Sequence, residues 1–142
     1  MTKYVQKYIP SVTTPSAWKA LSASQLRKAV ANCMMKFRDL SVKNLDRNID
    51  IVINKKAIGK TAYGEAIYGK KAAAAQVLPE LLKYAKYNNW GERKAGDPED
   101  LIGFMNFKAK CKIDGKIESV RLAVHFYKDG YFYYNIEIST KK

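Results

Sequence analysis

The single histidine of this chain, His125, lies in a stretch that also carries Arg121, Tyr127, Tyr133 and Glu137. Histidine is the side chain whose unperturbed pKa lies near neutrality. Cleaving RNA without a metal requires one group to take the 2′-OH proton and another to protonate the leaving 5′-oxygen. Cations must also stabilise the charge that develops on the phosphorane. His125, Arg121, Tyr133 and Glu137 are residue types suited to that work and form the candidate catalytic set. A lone histidine in a strand is more often structural, and an exposed sheet face is polar by default.

Two groups of lysines are candidates for holding phosphates. Lys108, Lys110 and Lys112 alternate with apolar residues and join Tyr127, whose ring offers a surface for base stacking. Lys108 is also expected opposite Arg121, and like charges placed so destabilise a sheet unless an anion balances them. The second group is Lys55, Lys56, Lys60, Lys70 and Lys71, in a glycine-punctuated segment. Its core, from Asn54 to Gly59-Lys60-Thr61, resembles a phosphate-binding loop, but Asn54 stands where the motif needs glycine. NTP hydrolysis is therefore excluded, and the lysines are read as a phosphate-contacting loop.

The elements that must position these residues follow from periodicity. From Phe104 to residue 139, three runs of alternating apolar and polar residues are separated by Asp114-Gly115 and Asp129-Gly130, strong hairpin signals. They predict an antiparallel meander with one apolar face and one open basic face. A two-residue loop at Asp114-Gly115 puts Lys108 opposite Arg121 and Ala109 opposite Val120, with faces matched. The same loop at Asp129-Gly130 would mix the faces. An odd loop or bulge is predicted there, setting His125 against Asn135 and Tyr127 against Tyr133.

Upstream, Ser22 and Gln25 form a capping box before a helix whose stripe is Leu26, Val30, Cys33, Met34 and Phe37. Ile49–Ile53 reads as a strand, Ala72–Gln76 as helix, and Pro79 as the first turn of another helix that Asn88-Asn89-Trp90-Gly91 ends. The predicted class is α+β, with N-terminal helices followed by the meander. All 142 residues form a single domain: an arm over 1–14, a helical part over 15–48 and an α+β part over 49–142 with the meander at 104–139.

With 26 Lys+Arg against 13 Asp+Glu the net charge is +13, more than solubility requires, and polyanions are the expected partners. No apolar run is long enough to span a membrane and no signal-peptide core is present, so a soluble protein of the host bacterial cytoplasm is expected, with no membrane partner. Cys33 and Cys111 stand far apart with no ligand at metal spacing, and are read as buried thiols. Neither metal nor cofactor is expected.

Several segments together carry a resemblance. Ile51-Val52-Ile53-Asn54, Gly59-Lys60-Thr61, Leu78-Pro79-Glu80-Leu81-Leu82 with Ala85, Ile113-Asp114-Gly115-Lys116 and the tyrosine-rich last strand are similar to a phage accessory module. It is the third type of large polyvalent protein-associated domain, found in phage and conjugative-element proteins that accompany injected DNA. The resemblance covers roughly two thirds of the chain. Helices followed by a small antiparallel sheet also resemble the barnase/EndoU/colicin/RelE-type nucleases, which imply metal-independent RNA cleavage, although fold does not determine function. Those nucleases often use more than one histidine, and here there is only His125.

The expectation is a nucleic-acid-interacting protein of a phage or mobile element, RNA before DNA, acting as a metal-independent ribonuclease toxin or effector. Two alternatives stay open. One is a non-enzymatic anti-defence inhibitor that binds a host defence complex, or an acidic immunity or partner protein. The other is a structural nucleic-acid-binding protein.

Overall fold

The computed structural model describes residues 4–64 and 69–138. Four helices and a curled, mixed seven-stranded sheet make an α+β fold. The strands are β1 (Ser11–Val12), β2 (Leu40–Asn44), β3 (Ile49–Ile53), β4 (Lys86–Glu92), β5 (Leu101–Ile113), β6 (Lys116–Tyr127) and β7 (Gly130–Ile138). Their order is β1-β5-β6-β7-β3-β2, with β4 also paired to β5. Pairings β1–β5 and β3–β7 are parallel and the others antiparallel. The helices are α1 (Ala23–Met34), α2 (Lys55–Tyr63), α3 (Gly69–Ala75) and α4 (Leu78–Tyr84). One hydrophobic core joins Val30 and Met34 of α1, the alanines of α3, Leu81 and Leu82 of α4, and Phe107, Leu122 and Ile136 of the sheet.

Local chemistry accounts for most of these elements. Ser22 Oγ accepts from the Gln25 backbone N–H at 3.2 Å while Gln25 Oε1 accepts from the Ser22 N–H at 3.0 Å, so two free helix-end donors are satisfied reciprocally. Ser22→Ala should lower stability by about 1 kcal/mol, read as a shifted urea midpoint with an unchanged slope. In the β5–β6 hairpin Asp114 (φ 50°) and Gly115 (φ 85°) both take positive φ, as a two-residue turn matched to strand twist requires. Lys108 pairs with Arg121 and Ala109 with Val120, as the alternation predicts.

Two strands escape the sequence reading. β2 lies inside the segment read as helical, because its inward positions are Val42 and Asn44 while the apolar Leu40 is exposed. Asn44 is fully buried, yet its amide donates to the Leu82 and Ala85 carbonyls at 2.8 and 2.9 Å and its Oδ1 accepts from Arg47 N at 2.9 Å. A polar side chain thus closes the end of α4 from the core side, and the alternation is masked. β4 consists largely of polar and small residues with low strand propensity, and its pairing with β5 determines its conformation. Its Trp90 lies across Gly103, where an added Cβ would fall 2.1 Å from the indole Cζ2.

The segment read as a phosphate-binding loop is helix α2. Asn54, the residue that breaks the loop motif, is its N-cap: Oδ1 accepts from Ala57 N at 2.9 Å. The N-terminal arm packs on the body. Gln6 Nε2 donates to Lys110 O and Gln6 Oε1 accepts from Lys110 N, Ser11–Val12 pairs with Lys112–Ile113, and Asp114 accepts from both Thr14 N and Thr14 Oγ1 at 2.7 Å. Those two bonds hold the Asp114 carboxyl below its ordinary pKa. Residue 139, the expected end of the last strand, lies outside the described residues. Among the described residues no helix is long and apolar enough to cross a membrane.

Candidate nucleic-acid interface

The helices cover one face of the sheet and leave the other open. Its geometry depends on the β6–β7 pairing, where the sequence expectation needs correction. A bulge is present, but at Ala123/Val124 rather than at the turn: Ala123 pairs with Asn135 and Val124 with Tyr133, so Tyr134 is the extra residue. Tyr127 pairs with Gly130, and His125 with Phe132 rather than Asn135. Side chains change face across the bulge. Tyr133 therefore points into the core, 1% exposed, and its hydroxyl shares a 2.6 Å hydrogen bond with Thr61 Oγ1. Burial pushes its pKa far up. It is not on the open face, and Tyr134 takes its place there.

From one end of the sheet to the other, the open face carries three rows. The first is aromatic: Phe104, His125 and Phe132 stand on adjacent strands. The Tyr134 ring stacks on His125 at 3.8 Å and 17°, Phe104 meets His125 edge-on at 4.8 Å, and Tyr127 meets Phe132 at 5.8 Å. Helix α2 borders this end. The Lys60 ammonium lies over the Tyr134 ring at 5.0 Å. Burial lowers the His125 pKa, Asp97 opposes that shift, and Lys56 and Lys60 reinforce it. Burial and then Asp100 raise that of Tyr127.

The second row consists of amides. Asn89, Asn106 and Asn135 lie on β4, β5 and β7 with Ala123 between the last two, and Asn106 Nδ2 donates to Asn89 Oδ1 at 2.9 Å. The third row consists of cations. Lys86, Lys108 and Arg121 are cross-strand neighbours on β4, β5 and β6, and Glu137 on β7 completes the row, accepting from Arg121 Nη2 at 2.9 Å. Beyond it Lys110 donates to Ser119 Oγ at 3.0 Å, and Lys112 is exposed. A groove of about 760 Å³ passes over Lys86, Lys108, Lys110 and Arg121, with Gln6 of the arm on its rim.

The four candidate catalytic residues do not converge. Arg121 and Glu137 form an ion pair with each other, and Arg121 lies four residues along β6 from His125, about 13 Å away. Tyr133 is on the opposite face. Of the second lysine group, Lys56 and Lys60 reach the aromatic end, and Lys55 is exposed at the start of α2. Lys70 pairs with Glu118 at 3.1 Å on the helical side, and Lys71 is only 4% exposed, so neither joins the face. Lys86 and Asn89 went unseen because β4 did, and Tyr134 because strict alternation hides a bulge. Cys111 is buried, with its thiol pushed up to about 11, whereas Cys33 is only half-buried. Among the described residues, no cluster of three His, Cys, Asp or Glu side chains could hold a metal.

Residues 22–134 match the family described as large polyvalent protein-associated domain 3. No curated protein and no solved structure matches the chain.

Proposed function

This chain belongs to the family of large polyvalent protein-associated domain 3, a domain associated with phage polyvalent proteins, and we propose that its open face binds single-stranded nucleic acid. The observation that carries the reading is the row Lys86–Lys108–Arg121, three cations side by side on one sheet face with a single carboxylate, Glu137, at the end. Adjacent like charges destabilise a sheet by themselves, and a sugar-phosphate backbone along the groove offsets that repulsion. Partly exposed rings at the far end provide stacking surface for bases. RNA is the first substrate to test.

A labelled single strand, titrated in low salt, should bind wild type. Lys86→Ala/Lys108→Ala should bind more weakly by a similar factor for every sequence, and its salt slope should fall by about 1.4. Glu137→Gln, which releases Arg121 from its ion pair, should bind more tightly. Unchanged affinity in the lysine variant removes the cation row from the function. The same incubation with RNA in EDTA separates the finer readings. Intact RNA leaves a binding module. Cleavage to 2′,3′-cyclic phosphate ends that is lost in His125→Ala puts a metal-independent ribonuclease in its place, centred on His125 with Lys56 and Lys60. No binding to free nucleic acid turns the search to an anti-defence role on a host complex.

A further inference from the structure

The amide row carries no cation, and a partly open depression lies above it. A cavity of about 210 Å³ lies between the aromatic and cationic rows, lined by Asn88, Asn89, Asn106, Tyr134, Asn135 and the Arg121–Glu137 pair. Ala123 is its floor and the smallest side chain in the row. It stands between Asn106 on β5 and Asn135 on β7, so the two amides face each other across two strand spacings, about 9–10 Å. Of their polar atoms, Asn106 Nδ2 is used by Asn89, and Asn135 Oδ1 accepts from the Ile136 N–H at 2.9 Å and from Thr61 Oγ1 at 3.5 Å. Asn106 Oδ1 and Asn135 Nδ2 are left with no described partner. An acceptor therefore stands on one side of a flat floor and a donor on the other.

We infer that this cavity is a slot for one unstacked nucleobase, read by the Asn106, Asn135 and Asn89 amides, with adenine the best-matched base. The inference rests on the nucleic-acid reading above and adds selectivity to it. A planar base lying over the Ala123 methyl group has its edges against amides on both sides, and the Arg121–Glu137 pair stands where the adjoining phosphate would reach the cation row. Adenine is favoured because its N6 amino group and its N3 lie on opposite edges of the ring, a donor for Asn106 Oδ1 on one side and an acceptor for Asn135 Nδ2 on the other, whereas in cytosine the position opposite the amino group carries the sugar. Thymine and uracil can give their ring N3–H to Asn106 Oδ1, but the opposite edge is then carbon and leaves Asn135 Nδ2 without an acceptor. The three-row order thus assigns stacking, base reading and phosphate neutralisation to successive positions along the face.

The test uses the full chain and fluorescein-labelled oligonucleotides of about 12 nucleotides: poly-dA, poly-dT, poly-rA, poly-rU and an abasic strand. Wild type should prefer the adenine strands to the thymine and uracil strands by roughly tenfold or more. Ala123→Leu fills the slot and Asn106→Leu removes its acceptor. Neither touches a cation, and Asn106 is not needed for the core. Both should bring adenine strands down to the affinity of the abasic strand while leaving the abasic affinity unchanged, with thermal melting used to check that each variant is folded. Equal wild-type affinity for every strand, or an adenine preference that survives both substitutions, overturns the slot while leaving the cation groove in place. Failure of wild type to bind any strand overturns the slot and the nucleic-acid reading together.

Discussion

Raising monovalent salt from about 50 to 200 mM should weaken binding to a single strand by roughly 10²-fold. The magnitude follows from the cations that share the face and its border. Lys56, Lys86, Lys108, Lys110 and Lys112 can meet about five phosphates, each releasing condensed counterions, and single strands lose about 0.7 of a logarithm per phosphate per tenfold salt. Arg121 is left out because Glu137 holds it at 2.9 Å. The slope is the informative quantity, since it counts phosphates regardless of affinity. Fluorescence anisotropy across a salt series gives it directly, and a slope near zero would mean that the net charge of +13 acts through solubility alone.

The adjacent tyrosines should give opposite results. Tyr133→Ala should cost about 3–5 kcal/mol of stability, because it empties a fully buried ring position and leaves Thr61 Oγ1 without its 2.6 Å partner. Tyr133→Phe, which keeps the ring, should cost about 1 kcal/mol and leave nucleic-acid affinity unchanged. Tyr134→Ala should leave the melting temperature nearly unmoved and weaken binding by about 1–3 kcal/mol, the usual contribution of one base–aromatic stack. A base that stacks there displaces the Lys60 ammonium from the ring toward a neighbouring phosphate. Chemical denaturation and anisotropy on the four proteins decide the matter. Exchanged phenotypes, with Tyr133 governing binding and Tyr134 stability, would restore strict alternation along the last strand and sink the bulge.

What could be read from the chain and what could not divides along physical lines. The β5–β6 hairpin was legible to the residue because apolar alternation and turn chemistry agree there, Asp114 and Gly115 both accepting positive φ. The α1 start was legible for the same reason, with cap and stripe pointing to one boundary. The last strand was not. Its residues Tyr131-Phe132-Tyr133-Tyr134 are all aromatic, so hydrophobicity cannot tell which of two neighbours faces the core, and only the pairing with β6 decides. β4 was hidden for another reason. In Asn88-Asn89-Trp90-Gly91 only Trp90 favours a strand, and the pairing with Phe104, Met105 and Asn106 decides the conformation. The candidate site shares this split, since Lys108, Arg121 and His125 were visible while Lys86, Asn89 and Tyr134 were supplied by tertiary pairing.

The clasp between Thr14 and Asp114 spans 100 residues of chain, and Gln6 reaches Lys110 across 104. During synthesis the arm leaves the ribosome before its partner strand, which is translated roughly 5–20 s later. Throughout that interval the groove lacks its Gln6 rim and the edge of β5 that the arm covers does not yet exist. Closure is therefore a late event, reached only after the C-terminal hairpin has emerged and paired. A nascent chain stalled before Asp114 should show the arm fully open to protease, and one released after β7 should show it protected.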